Sequence, residues 1–379
     1  MGILQAGRRR IKLGRLAWII LVWTVLGALD ALNTHVMTNS EYVNPTRLYD
    51  FNRYFWVNTL AAFAAGIISG SILVFFLRER FRNKAFGFTI LVNSLVISLI
   101  NFGIIAVIYD VFFSLESGKN PLHSEVLEET ATLIQSSFYL KNLVFWSIVA
   151  FLTIVFLHVN DKYGPGMLMK LILGLYHRPR QEERIFMFVD IKSSTTIAER
   201  LGHIRFFNLL NDFFKDLTDP IIYTGGEIYQ YVGDEVVISW TMKRGLQNEN
   251  CLRCFYSMQE AINRRAARYR ERYGLVPEFK AGLHCGEVTI GEIGVIKKDI
   301  VFSGDVLNTA HRIQAICNRY GVKILISKYL LDRLQLPPND FHPQRVGVIE
   351  LKGKQQKLEI YTFSESHLPE EIRLPALST

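Results

Sequence analysis

Asp190 follows the apolar run Ile185–Val189, and Asp234 lies in Gly233-Asp234-Glu235 between two β-rich runs, Ile228–Val232 and Val236–Trp240. Each is ordinary when read alone: one starts a loop, the other forms a turn. If the runs are neighbouring strands, the two carboxylates meet at one end of a sheet. Such a pair suits Mg²⁺, which takes oxygen ligands and commonly bridges to substrate phosphates. The residues after Asp190, Ile191-Lys192-Ser193-Ser194-Thr195, open a helix whose free N–H groups favour an anion. Ser193, Ser194 and Thr195 also serve as ordinary N-caps, a role compatible with the first. A triphosphate held there would put its oxygens beside cations on the two aspartates.

Asn308 and Arg312 stand four residues apart and therefore share a helix face. The apolar stripe Leu307, Ala310, Ile313 and Cys317 leaves them beside it. Arginine can stabilise charge on a transferring phosphoryl group, and asparagine can orient a sugar or phosphate oxygen. As an isolated pair they would be surface residues.

The elements around these residues alternate between strand and helix from Arg184 onward. A strand over Ile185–Val189 leads into a helix reaching about Leu217, and the Gly233-Asp234 turn joins a hairpin. A helix follows from about Glu249 to Tyr273. Phe279–His284 and Glu287–Gly291 form an expected hairpin around Cys285-Gly286. Val306–Arg319 reads as a helix, Val322–Ile326 as a strand, and Arg345–Lys352 with Lys357–Phe363 as a closing hairpin. Strands outnumber crossover helices, so the expected fold is an α+β sheet with helices on one face and a ferredoxin-like βαββαβ core.

The first 160 residues have another character. Four apolar segments, roughly Leu16–Leu32, Val57–Leu77, Phe88–Phe113 and Leu140–His158, are long enough to cross a bilayer, which takes ~20 residues of helix. The first lacks a small-residue cleavage pattern and three more follow, so it reads as a span rather than a removed signal. Much of the net charge of +8 lies beside these segments, at Arg8, Arg9, Arg10, Lys12 and Arg15 and at Arg78, Arg80, Arg82 and Lys84. The loop before the fourth span is acidic, with Glu116, Glu125, Glu128 and Glu129. By the positive-inside tendency, the N-terminus and everything after Asp161 lie in the cytoplasm of a multi-pass protein of the cell membrane. Asn93, Ser94, Ser98 and Asn101 fall on roughly one face of the third span, where interhelical hydrogen bonding is the simple reading and a ligand site the other. Gly164-Pro165-Gly166 breaks the chain after the last span. The organisation is a four-span region over 1–160, a linker over 161–183, a soluble domain over 184–363 and a tail over 364–379.

Two function classes lose support. Nucleic-acid binding would need a basic, aromatic-rich face, and the arginines between Arg264 and Arg272 read as a solvated helix face. Zinc needs a second cysteine pair beside Cys251 and Cys254, and the lone pair reads as buried thiols.

Together the motifs resemble the catalytic domain of class III adenylate and guanylate cyclases over about Arg184–Phe363. The matching words are Phe188-Val-Asp190-Ile-Lys-Ser-Ser-Thr-Thr196, Val232-Gly-Asp234, Gly282-Leu-His-Cys-Gly286-Glu-Val288 and Gly304-Asp-Val-Leu-Asn308-Thr-Ala-His-Arg312. The resemblance implies two Mg²⁺ (or Mn²⁺) ions per site on Asp190 and Asp234, helped by the Ile191 carbonyl. It implies that Asn308 orients the ribose and Arg312 stabilises the transition state, and that Lys354 binds phosphate. It further implies a homodimer, with the metal aspartates from one chain and the Asn and Arg from the other.

Base choice departs from the pattern. Adenylate cyclases of this family usually carry a lysine where this chain has Gln230, and an aspartate or threonine where it has Val301. Strand alternation puts Gln230, Val232 and Asp234 on one side. A glutamine amide both donates and accepts, so it suits adenine or guanine. ATP is the expected nucleoside triphosphate, with GTP the alternative. An inactive membrane receptor that only binds nucleotide is the other class of answer, against which all four motif residues stand intact.

Overall fold

The computed structural model describes residues 2–38, 51–81, 84–164, 169, 173–296, 298–337, 341–350 and 357–363. The chain divides into two compact units, Arg9–Pro165 and Gly166–Thr379, the latter counted with Met1–Arg8.

The first unit is helical. α1 spans Gly2–Thr38, α2 Phe51–Ile72 (extended by a π turn at Leu73–Leu77), α3 Phe86–Ser117, α4 Ser124–Ile134 and α5 Ser137–Tyr163. Four stretches, Ile11–Met37, Phe51–Leu77, Phe86–Ser117 and Tyr139–Asp161, are long and apolar enough to cross a membrane. α4 is a short amphipathic helix that was not expected in the acidic loop. Polar side chains bind the helices to one another. Trp23 Nε1 donates to Thr153 Oγ1 at 3.0 Å, and Ser69 Oγ donates to Asn101 Oδ1 at 2.6 Å. Buried Asp30 accepts from Lys141 Nζ at 3.0 Å and from Asn58 Nδ2 at 3.2 Å. The interhelical role expected of the polar face of the third span thus holds at Asn101. Asn93 is fully buried with neither amide atom partnered among the described residues.

In the second unit, β1 spans Arg180–Ile191, α6 Ser194–Leu201, α7 His203–Tyr223, β2 Glu227–Val232 and β3 Glu235–Thr241. After the short α8 (Met242–Leu246) come α9 (Asn250–Arg264), α10 (Ala266–Tyr273), β4 (Phe279–Ile293) and β5 (Asp299–Ser303). α11 (Asp305–Ala315), α12 (Cys317–Tyr320), β6 (Ile324–Ser327), α13 (Lys328–Leu331), β7 (Pro343–Glu350) and β8 (Lys357–Phe363) complete it. The sheet runs β2-β3-β1-β4-β6-β8-β7, with β5 paired to the far half of β4. Its first four strands and the helices between them have the order of a βαββαβ core.

Strand alternation sorts the core. Ile185, Met187, Val189 and Ile191 of β1 pack with Phe213 and Leu217 of α7 and Phe255 and Met258 of α9. Phe186 and Phe188 point the other way, onto Val306 and Ala310 of α11. Helices therefore cover both faces, a correction to the one-face expectation. Burying each such side chain contributes about 2–3 kcal/mol. The four cysteines are free and buried, as packing thiols should be.

Other expectations also shift. The helix expected to reach Leu217 is broken at Gly202, which has φ +74°, and the one expected through Tyr273 is broken at Arg265. Cys285-Gly286 is no turn. β4 runs through it without interruption, with Cys285 opposite Ile185 and Gly286 opposite Arg184. Gly286 is there for space, since an added Cβ would lie 2.8 Å from Val306 Cγ2. β1 also begins four residues before Arg184, inside the stretch read as linker.

Gly282 makes the tightest approach. A Cβ there would sit 2.2 Å from Gln314 N and 2.6 Å from Ala310 O, so only glycine lets α11 lie on β4. Gly282→Ala is expected to destabilise the soluble unit by about 3 kcal/mol, read as a lowered thermal midpoint.

Candidate active site

Asp190 is the penultimate residue of β1, paired across the sheet with Glu235 of β3 on one side and Lys280 of β4 on the other. Its even-numbered position turns it to the α11 face. Asp234 reaches the same end of the sheet from the β2–β3 turn, where Gly233 supplies the positive φ of +61° that a tight hairpin requires.

The Asp234 carboxyl is a neighbour of Asp190 and one of the groups that act on it. Burial first, and then Asp234, push Asp190 up to about 6, while Lys280 pulls the other way. Glu235, raised to about 7 by burial and then by the two aspartates, adds a third acid. Lys280 Nζ lies 3.2 Å from Asp190 Oδ2, and His311 Nε2 lies 3.8 Å from Glu235 Oε2. Asp234 Oδ2 is buried and accepts no hydrogen bond from any described donor. Two neighbouring carboxylates, one with an orphaned buried oxygen, are what a divalent cation would neutralise, so Asp190 and Asp234 fit one, while no set of three or more acids, histidines or cysteines placed to hold a metal occurs among the described residues.

The turn expected to hold phosphate differs from expectation in detail. Ser193 occupies the cap position of α6 but adopts left-handed backbone (φ +56°), and its side chain does not cap the helix. Strain of this kind in a non-glycine residue beside a carboxylate pair marks a shaped loop. Ser194 and Thr195 begin α6, with Thr195 exposed. Ile191 is buried at the end of β1.

Asn308 and Arg312 lie on the exposed side of α11, whose buried side carries Val306, Thr309, Ala310, Ile313 and Gln314. Gln230 is exposed on β2 and opposes Val237; the register shift between Ile228 and Gln230 lies before it, and from Gln230 to Val232 the pairing is regular, with Asp234 in the turn that follows. Val301 is half-buried on β5, opposite Gly291. Their sequence neighbours touch: the Phe302 N–H donates to Tyr229 Oη at 3.3 Å, and the two rings meet edge-on at 4.9 Å. Lys354 lies outside the described residues.

Three residues of the site escaped the sequence reading. Glu235 was visible as the acid after Asp234. Lys280 required the β1–β4 register. Gln314, which donates from Nε2 to Asp190 Oδ2 at 2.9 Å, required knowing which face α11 covers.

Comparison with known proteins bears on this geometry. A model of the adenylate and guanylate cyclase catalytic domain matches residues 176–365. Adenylate cyclase 2 of Rhizobium meliloti (strain 1021) is 38% identical over 212 residues, 56% of this chain and 58% of that protein. An adenylate cyclase of Anabaena cylindrica is 29% identical over 182 residues, 46% of this chain and 35% of that one. The chain thus spans 58% and 35% of the length of these two curated relatives. A bacterial light-regulated adenylyl cyclase structure superposes with a TM-score of 0.52 at 20% identity, covering 62% of this chain and 67% of that one, a likeness of fold. Since the match takes in β1 to β8 and every described residue at the carboxylate end of the sheet, the chain belongs to the adenylate and guanylate cyclase catalytic domain family.

Proposed function

We propose that this chain is a membrane-anchored adenylate cyclase, converting ATP to 3′,5′-cyclic AMP and pyrophosphate in a homodimer. The observation that carries the reading is the neighbouring pair Asp190 and Asp234, with its buried, unpartnered oxygen. The ribose 3′-hydroxyl attacks the α-phosphorus; the new O–P bond forms as the bond to the β-phosphate oxygen breaks, and the hydroxyl proton is lost to solvent.

Asp190, Asp234 and the Ile191 carbonyl would hold Mg²⁺ or Mn²⁺, two ions per site as the family resemblance implies. Such ions supply charge neutralisation of the phosphates and an acidified hydroxyl. Arg312 stabilises charge building on the α-phosphoryl oxygens, and Asn308 orients the ribose. The N–H groups at the start of α6, around Ser193, Ser194 and Thr195, and Lys354 hold phosphate oxygens. Gln230 reads the base, with Val301 closing the pocket beside it.

The exposure of Asn308 and Arg312 supports a two-chain site, in which they serve the substrate held by the partner's aspartates. Ile293, Val295 and Ile296 stand out at the β4–β5 tip, between 60% and 104% exposed, and give a second copy an apolar surface to cover. The four apolar helices turn large side chains such as Leu91 and Leu99 outward, as a lipid-facing surface requires. The basic residues beside the spans place both chain ends in the cytoplasm on this reading.

The test is product identity. The full chain in lipid nanodiscs would be given Mg²⁺ or Mn²⁺ with each of ATP, GTP, CTP and UTP, and products identified by mass spectrometry. Cyclic AMP is expected. Another cyclic nucleotide would keep the reaction and replace the base assignment, while no product from any of the four would sink the enzyme reading.

A further inference from the structure

Gln314 sits on α11 two residues beyond Arg312 and is 3% exposed. Its Nε2 and Lys280 Nζ reach the same carboxylate oxygen, Asp190 Oδ2, at 2.9 and 3.2 Å. With Oδ2 engaged by both donors, Oδ1 is the oxygen left for a ligand. The two donors act differently on a cation site. The Lys280 charge competes with an arriving cation for Asp190, whereas the neutral amide orients the carboxylate and repels nothing. The backbone of Gln314, from which that side chain extends, is held close against β4. At Gly282 the helix comes so near that an added Cβ would lie 2.2 Å from Gln314 N, so the residue has little freedom to shift.

We propose that Gln314 is the positioning residue for Asp190, fixing its carboxylate toward Asp234 and tying the cation site to the helix that carries Asn308 and Arg312. This rests on the reading of Asp190 as a cation ligand and of α11 as serving the partner's substrate. One helix would then set the metal ligand of its own chain while presenting the substrate residues of the neighbouring site. Hydrogen-bond partners of metal-ligating carboxylates typically change metal affinity or activity about 10–100-fold when removed.

The experiment uses the full chain in nanodiscs and follows free Mn²⁺ by electron paramagnetic resonance. Gln314→Met keeps the side-chain length and removes the donor. It is expected to weaken Mn²⁺ binding about tenfold, to leave the KM for ATP at saturating Mn²⁺ within about twofold, and to leave the thermal midpoint near that of the parent. Asp190→Ala is the reference. If Asp190→Ala leaves Mn²⁺ binding unchanged, the cation reading itself fails. If Asp190→Ala weakens binding and Gln314→Met does not, the positioning role is overturned and the cation reading stands. Placement gives a second measurement. In dimers mixed from Asp190→Ala and Arg312→Ala chains, Gln314→Met should raise the Mn²⁺ requirement only on the chain that retains Asp190. An equal rise from either chain would mean that Gln314 merely supports the packing of α11, and would overturn the proposal.

Discussion

Asp234→Ala is expected to cut cyclic nucleotide production about a thousandfold while making the metal-free protein more stable. On the proposed reading, the loss follows from removing one of two carboxylates that would hold the cations neutralising the reacting phosphates, a contribution of several kcal/mol in the transition state. The gain follows from electrostatics. Burial, and then Asp234, raise Asp190 from 3.8 to about 6. In the folded chain Asp190 therefore keeps its proton at pH values where the unfolded chain has lost it. Between about pH 4 and pH 6 the folded state binds more protons, so the metal-free chain loses stability as the pH rises through that window and does not regain it above. Deleting Asp234 removes the second cause of the shift and narrows the window. At pH 7 the metal-free variant should be more stable by about 1 kcal/mol, and at pH 4 the difference should vanish. Thermal midpoints measured in a chelator at both pH values, beside cyclic nucleotide yield with Mn²⁺, would check both halves. An unchanged yield would remove Asp234 from the chemistry, and a lower midpoint at pH 7 would show that the carboxylate pair is not in conflict.

That conflict was half legible in the sequence. An apolar run ending in Asp190 and a Gly-Asp turn between β-rich runs were enough to bring two carboxylates together, because strand period and turn chemistry are local properties. The four apolar segments were legible for the same reason: length and composition decide them. What failed depended on distant packing. Cys285-Gly286 looks like a turn because glycine commonly ends strands, yet its missing side chain makes room for Val306, which comes twenty residues later. Gly202 and Arg265 interrupt helices whose apolar periodicity runs on through the break. The residues nearest Asp190 were hidden most completely. Lys280 meets it through cross-strand register, and Gln314 through a helix whose side of the sheet no local pattern records.

On the proposed two-chain reading the same helix ties one site to two chains, and mixing two inactive variants would test it. Asp190→Ala and Arg312→Ala chains should each be nearly inactive alone, because each site in either homodimer lacks an essential group. If the aspartates of one chain work with Asn308 and Arg312 of the other, a mixed dimer has one complete site and one lacking both groups. With random pairing half the dimers are mixed and half their sites are whole, so activity should return to about a quarter of the parent level. The exposed setting of Asn308 and Arg312 on α11, set against the β1 end that holds Asp190, is the structural reason to expect this. Co-expression of the two variants in equal amounts, purification through a tag common to both so that homodimers are retained, and a cyclic nucleotide assay would measure it. No recovery, with mixed dimers demonstrably present, would return Arg312 to its own chain's site. Recovery near a quarter would make the second copy part of the chemistry, because the charge on the reacting phosphoryl group would then be met by an arginine that the chain holding Asp190 cannot supply.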